Sequence, residues 1–185
     1  MKKFIFFTLI LFHPLTTIFA AVPDATYFVG LSNGSKSYKL EVKEAKEKTT
    51  YSSSQTIFQA GVRGKNTHIY FEFSPEKKFE SEDFITDMKS SSTALNVGFF
   101  NSLDLLYLAL NGKIENMKTE FDGKDVLESP SGTIYGAGIA AGGFLGHILS
   151  IEFGYSYMLT ELSNDDYTIS NVATNLFTIA YHIKY

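Results

Sequence analysis

The last fifteen residues, Asn171–Tyr185, place the strongest constraint on the fold. From Asn175 onward, two sets of residues alternate without interruption: Phe177, Ile179, Tyr181, Ile183 and Tyr185 in one set, and Thr178, Ala180, His182 and Lys184 in the other. Successive side chains leave a β-strand on opposite sides, so a period of two predicts a strand. The stretch contains neither Gly nor Pro and ends on an aromatic residue. At this point it fits either a strand that faces lipid or a half-buried edge strand of a soluble sheet.

The N-terminal residues have the three parts of a secretory signal peptide. These are a charged pair, an apolar run and two small residues at a cleavage site, namely Lys2 and Lys3, Phe4–Phe12, and Ala20 and Ala21. His13 and Pro14 end the apolar run well short of the roughly 20 residues that span a membrane. We therefore expect residues 1–20 to be a signal peptide, cleaved after Ala20 or Ala21, and 21–185 to be one exported domain.

Composition narrows the class of protein. The chain has no cysteine, so a disulfide framework is excluded. Without Lys2 and Lys3, 14 basic residues stand against 20 acidic ones, which argues against nucleic acid as a partner. Aromatic residues are abundant, with 11 Tyr and 17 Phe, but no uncharged apolar run after the signal is long enough for a transmembrane helix. If the protein enters a membrane, it must do so as strands.

The mature chain divides into eight segments with strand character. We predict strands at roughly Ala25–Asn33, Ser54–Arg63, Thr67–Phe73, Ser92–Phe100, Leu103–Lys113, Thr133–Phe144, Leu149–Leu159 and Asn171–Lys184. Most have about the nine to eleven residues that a tilted membrane strand needs. The fifth is apolar on both faces over Leu103–Leu110, so its orientation is left open.

The connections between these segments alternate between long and short. Three are tight, at 64–66, 101–102 and around 145–147, and four are long, at 34–53, 74–91, 115–132 and 160–170. In an up-and-down barrel, this alternation puts the short turns at one end and the long loops at the other, as in outer-membrane barrels. The long loops also hold 16 of the 20 acidic residues. The less apolar strand face consists of small residues and a few charges, which suits a narrow lumen better than a water-facing exterior.

The whole mature chain resembles the eight-stranded outer-membrane β-barrel proteins, the group of the OmpA transmembrane domain, OmpX and the opacity-type proteins. The resemblance rests on the signal peptide, the eight alternating segments, the loop asymmetry and the terminal FTIAYHIKY. It implies an all-β, eight-stranded, antiparallel up-and-down barrel in the outer membrane. It also implies contact with membrane lipid and lipopolysaccharide, a monomeric state, and help from periplasmic chaperones and the barrel-assembly machinery. The assembly signal would be the aromatic-terminated face Phe177, Ile179, Tyr181, Ile183 and Tyr185.

Inward positions are expected to carry a structural polar network. Its members would be Arg63, Glu72, Asp104, Glu152, His182 and Lys184. Glu152 and Lys184 lie at the same end of adjacent predicted strands, so they should share a charge network, with Arg63 as a third member. Long inward side chains would close the lumen, and we expect no general pore.

Motifs that suggest chemistry have simpler structural explanations. The glycines of Gly136–Gly142 lack the βαβ context of a dinucleotide-binding loop and instead make room for bulky lumen neighbours. Asn164–Asp166 and Asp122–Asp125 carry oxygen ligands for a cation, but the same residues form solvated turns. The lysines of segment 34–53, interleaved with glutamates, could meet lipopolysaccharide phosphates or only solvent; they are Lys36, Lys39, Lys43, Lys46 and Lys48.

We therefore predict no catalytic, cofactor-binding or metal-binding residues, and a structural or binding role carried by the four long loops, whose ligand the sequence does not identify. Two alternatives remain: a small outer-membrane enzyme that modifies lipid A, and a soluble periplasmic barrel that binds an apolar ligand.

Overall fold

A computed structural model describes residues 25–44, 46–81, 88–103, 105–121 and 129–184, with the side chain of Lys184 left out. Within these residues the chain is almost entirely β-structure. The strands are β1 (Thr26–Val42), β2 (Glu47–Arg63), β3 (Thr67–Phe79), β4 (Met88–Leu103), β5 (Leu106–Phe121), β6 (Gly132–Leu145), β7 (Leu149–Met158), the two-residue β8 (Leu162–Ser163) and β9 (Tyr167–Lys184).

The eight long strands form a closed antiparallel barrel, which confirms the predicted fold class. Each long strand pairs with the next along the chain, and β9 also pairs with β1 to close the sheet. The stagger of the barrel can be read by stepping from Gly138 to its paired residue on each successive strand. Stepping through β7 reaches β9 at Thr174, and stepping the other way around the barrel reaches β9 at Lys184, ten residues further along. A stagger of this size over eight strands corresponds to a strand tilt of about 40°.

The barrel has two different ends. The turn end carries Thr26, Lys184 and the strand ends that flank residues 64–66, 104–105 and 146–148. The hairpin end carries the strand ends that flank residues 43–46, 80–87, 122–131 and 159–166.

A belt of large apolar side chains surrounds the half of the barrel next to the turn end. On β5 it runs from Leu106 to Ile114, whose side chains are 67% and 45% exposed. Eight residues of strand at this tilt cover about 20 Å along the barrel axis. Soluble monomers rarely expose an apolar surface of this extent. The belt consists of Val29, Leu31, Phe58, Phe71, Phe73, Val97, Phe99, Leu103, Leu105, Leu106, Leu108, Leu110, Ile114, Tyr135, Ile139, Leu145, Ile148, Phe153, Tyr155, Leu159, Ile179, Tyr181 and Ile183.

Beyond the belt, the polarity of the two barrel faces is inverted. On β1 the outward residues change from Val29 and Leu31 to Asn33, while the inward side carries the fully buried Tyr38 and Leu40. The hairpin half of the barrel thus has an interior cluster of apolar side chains and a polar exterior. Its interior cluster, hereafter the apolar plug, consists of Tyr38, Leu40, Tyr51, Phe79, Met88, Met117, Phe121, Ile134, Met158, Leu162, Ile169 and Val172.

The prediction of four long loops is wrong in its boundaries. Most of segment 34–53 belongs to β1 and β2, and β3, β5 and β9 also extend into the segments assigned to loops. These stretches are polar because their outward side chains face water, while their inward side chains fill the apolar plug. The charge content of these segments therefore reflects the water that their outer face meets, and it does not indicate that they are loops.

The structure also resolves the orientation of the fifth strand. Odd-numbered residues of β5 point inward and are buried throughout, and even-numbered residues point outward. Two inward glycines on β6 lie against large neighbours, as expected: a Cβ on Gly136 would come within 2.6 Å of Met158 Sδ, and one on Gly142 within 2.6 Å of the Tyr107 ring, whereas Gly138 lies against Ser156. Among the described residues, no helix has the length and apolar character needed to cross a membrane.

Candidate functional site

A chain of buried charges crosses the middle of the lumen. Lys36 on β1 contacts Glu115 on β5, and Lys113 Nζ lies 3.5 Å from the second oxygen of Glu115 and 2.7 Å from Glu72 on β3. Gln59 donates a hydrogen bond to Glu72 at 3.1 Å. The four charged side chains are at most 6% exposed. Two cations and two anions thus neutralise each other inside the barrel, as buried charges must.

A second cluster, nearer the turn end, surrounds Arg63. Its guanidinium carbon lies 4.4 Å from the ring centre of Phe100 and 4.7 Å from that of Tyr107. Glu152 lies 3.7 Å from Arg63 Nη2 and accepts a 2.8 Å hydrogen bond from the Tyr107 hydroxyl. Phe28 and Phe144 complete the ring of aromatic side chains around the guanidinium. A cation packed between aromatic faces with a carboxylate beside it is a stable arrangement in a low-dielectric interior.

Two histidines complete the polar interior. His68 hydrogen-bonds to Asn111, whose amide nitrogen donates to Tyr70 at 3.0 Å. His182 Nε2 lies 2.7 Å from Ser150 Oγ. A Ser–His contact raises the question of a nucleophile and its base, but both side chains are buried and no described group hydrogen-bonds to His182 Nδ1. A catalytic pair needs substrate access and a third group that orients the base.

The lumen contains little free volume at the level of the charged chain. A cavity of about 20 Å³ lies among Gln59, Tyr70, Glu72 and Lys113, with walls from β6, β7 and β9. This volume is sufficient for about one water molecule. The lumen is therefore filled at three successive levels: the Arg63 cluster, the charged chain and the apolar plug.

The structure describes four of the six residues predicted for the inward network. Arg63 and Glu152 lie together, Glu72 belongs to the charged chain, and His182 contacts Ser150. Asp104 lies outside the described residues, and so does the side chain of Lys184, so the Glu152–Lys184 contact stays a prediction. The prediction missed Lys36, Lys113 and Glu115. The strict alternation of β5 could have identified the last two, although Glu115, like Lys36, lay in a segment assigned to a loop.

The terminal face predicted as an assembly signal lies on the barrel exterior. Ile179, Tyr181 and Ile183 are about half exposed and belong to the apolar belt, and Phe177 packs against Phe153 with ring centres 5.0 Å apart. Tyr185 lies outside the described residues.

The candidate cation ligands are used in other ways where they are described. The side-chain oxygen of Asn164 accepts hydrogen bonds from the backbone nitrogens of Asp166 and Tyr167, at 3.1 and 2.8 Å. This is an ordinary turn. Asp122–Asp125 lie outside the described residues. Within the described part of the chain, no three His, Asp or Glu side chains are grouped as metal ligands.

Comparisons with known proteins identify the fold but not a family. No protein-family model and no curated protein sequence matches the chain. Among solved structures, it is similar to Neisserial surface protein A, with a TM-score of 0.57 and 15% identity over 88% of this chain and 100% of that one. It is also similar to Ail, the attachment invasion locus protein of Yersinia pestis, in complex with the heparin analogue sucrose octasulfate, with a TM-score of 0.52 and 15% identity over 87% of this chain and 100% of that one. The outer membrane protein AlkL, solved in lipid bilayers, gives 0.53 and 16% identity over 89% of this chain and 93% of that one. The chain thus has the fold of eight-stranded outer-membrane barrels.

Proposed function

We propose that the protein is an outer-membrane β-barrel that acts at the cell surface, in a structural or binding role, and does not conduct solutes. The exposed apolar belt supports insertion in the membrane, with the turn end in the periplasm and the hairpin end outside the cell. On this proposal the signal peptide is removed after Ala20 or Ala21. The partners of the barrel are outer-membrane lipid and lipopolysaccharide, with chaperones and the assembly machinery acting before insertion.

The observation that carries the proposal is the filled lumen. An aromatic cluster around Arg63, a neutralised chain of charges and the apolar plug follow one another along the axis. Eight strands enclose space for side chains or one small ligand, whereas water-filled channels occur in barrels of about 16 strands. The same filling argues against a soluble carrier of apolar ligands, and the apolar belt argues against it independently.

Planar-bilayer recording on purified, folded protein tests this proposal. Folding is verified first by the different gel mobilities of unheated and boiled samples, and a 16-stranded porin serves as the positive control. We expect no steady conductance on the scale of the porin. Reproducible porin-sized steps from protein free of contaminating porin would show that the barrel is a channel.

Binding at the hairpin end would involve a preformed surface, because much of the sequence assigned to loops is strand. A screen of variants with individual hairpin tips replaced, on an otherwise intact barrel, would identify the tip involved. The charge of the first hairpin does not favour a polyanion such as the sucrose octasulfate of the Ail complex. Lysines here are combined with glutamates, and Lys48 pairs with Glu41 at 2.9 Å on the same hairpin.

Catalysis on lipid A remains the competing function. The buried Ser150–His182 pair gives it no exposed nucleophile. Mass spectrometry of lipid A from cells with and without the protein should show identical species. A new acylation or deacylation product that disappears in a Ser150→Ala variant would favour the enzyme.

A further inference from the structure

A groove of about 630 Å³ lies on the outer face of the barrel across β5, β6, β7, β9 and β1. Its course follows a row of cross-strand neighbours that begins at Leu108 and passes through Ala141, Phe153 and Phe177 to Asn33. Four strand spacings give it a length of about 19 Å. Ala140, Ala141 and Gly154 contribute little side chain to its lining, and the rings of Phe153 and Phe177, with centres 5.0 Å apart, also line it.

The groove changes polarity along its length. Its start at Leu108 lies within the apolar belt, whereas its upper end is lined by Asn33, Ser35 and Asn175. Asn175 Nδ2 lies 3.5 Å from Ser35 Oγ, and Asn33 accepts a 2.9 Å hydrogen bond from Thr56. Because the strands tilt by about 40°, the row rises by about 12 Å toward the hairpin end, close to the roughly 15 Å hydrocarbon depth of one leaflet.

From this geometry we infer that the groove holds one outer-leaflet glycolipid, with an acyl chain along Leu108, Ala141 and Phe153 and a sugar headgroup against Ser35 and Asn175. The inference rests on the proposed membrane insertion. None of the residues that line the groove is charged. Hydroxyl and amide groups match the hydrogen-bonding groups of a sugar, whereas recognition of a phosphate would use Lys or Arg.

A second copy of the chain fits the groove less well. A stable dimer buries about 800 Å² on each partner in a well-packed face. The groove instead runs obliquely, beginning at hydrocarbon depth and ending at headgroup depth. This course matches the shape of a single lipid molecule and not that of a flat protein surface.

The test is native mass spectrometry of the barrel after folding in phosphatidylcholine vesicles that contain a minor fraction of lipid A or, separately, of phosphatidylglycerol. We expect wild-type protein to retain one lipid A molecule, and to retain phosphatidylglycerol at least ten-fold less. Ala141→Phe should fill the groove and reduce lipid A retention by ten-fold or more. Ala137→Phe is the matched control, because Ala137 is exposed on the same strand but does not line the groove.

The upper end of the groove has its own matched pair of double variants. Ser35→Ala with Asn175→Ala should remove the preference for lipid A over phosphatidylglycerol. Asn116→Ala with Thr133→Ala removes a similar exposed contact, 3.3 Å long, outside the groove and should preserve the preference. Raising the ionic strength should leave wild-type retention unchanged, because the proposed contacts are uncharged.

The inference is tested only on barrels that fold, as shown by different gel mobilities of unheated and boiled samples. For such barrels, four outcomes would overturn it: no retained lipid, equal retention of the two lipids, equal loss of lipid A retention in Ala141→Phe and Ala137→Phe, or loss of lipid A retention at high salt. A dimer that disappears only in Ala141→Phe would assign the groove to a second copy instead. Failure of the wild-type chain to fold in bilayers would overturn the proposed function, and this inference with it.

Discussion

The chain of buried charges should have a measurable interaction energy between Lys36 and Glu115. Among the described residues, Lys36→Met leaves Lys113, at 3.5 Å, as the one cation beside Glu115, and Lys113 also serves Glu72 at 2.7 Å. The four-residue set then carries one uncompensated negative charge in a site where Glu115 is 1% exposed. Removing one partner of a buried pair costs about 3–5 kcal/mol, and we expect each of Lys36→Met and Glu115→Gln to destabilise by that amount.

The double variant separates pairing from independent packing effects. It leaves Lys113 and Glu72 as a neutral pair, so it should cost no more than either single variant, where additive effects would give about 6–10 kcal/mol. The free energy of unfolding is measured by urea titration of barrels in lipid vesicles, followed by circular dichroism and by gel mobility. If the two losses simply add, the two charges are not coupled and this account of the lumen is wrong.

Three further predictions concern other parts of the barrel. Gly142→Val should destabilise the barrel by about 1–3 kcal/mol in the same titration, because the added carbons meet Tyr107. Gly143→Ala is the control and should have little effect, because the atom nearest to the added Cβ would be 3.4 Å away. Tyr38→Phe should leave stability unchanged or increase it by about 1 kcal/mol at neutral pH, because no described group hydrogen-bonds to the buried hydroxyl. Burial raises the pKa of Tyr38 in the folded state, so on raising the pH the Tyr38 hydroxyl ionises first in the unfolded chain, near pH 10. The stability of the wild-type protein should therefore fall above that pH more steeply than the stability of Tyr38→Phe. Deleting Tyr185 or replacing it with Asp should permit secretion but prevent membrane insertion, and normal yields of heat-modifiable barrel would contradict the assembly role.

The half of the fold that carries the apolar belt could be predicted because a single rule governs it. Segments such as Ile151–Leu159 and Phe177–Ile183 alternate with the apolar residues outward, and the short turns fix their order. The closed sheet and the inward side of Gly136, Gly142 and Glu152 follow from that rule. The contacts inside the lumen do not, because they depend on the stagger of ten residues around the barrel, which no single strand encodes.

The strand extensions were missed because the outward side chains change from apolar to polar partway along strands such as β5. On β5 the outward residues after Ile114 are Asn116, Lys118 and Glu120, while Met117 and Phe121 are buried inside. The alternation continues without a break, but its polarity is reversed, so a search for outward apolar residues ends at the edge of the belt. Lys36 lay in the part of β1 beyond that edge and was assigned to a loop for the same reason.

This reversal determines what the hairpin end can do. A barrel that leaves the lipid loses the apolar surroundings of its outer face and must bury apolar side chains inside to remain folded in water. The stacked Tyr38 and Tyr51, with ring centres 5.7 Å apart, and Phe79 from the neighbouring hairpin supply that interior. Hairpins that share one core cannot rearrange independently, because each contributes side chains on which the others pack. A partner at this end would therefore meet a surface formed before binding, and a substitution in the apolar plug would weaken such binding through several hairpins at once.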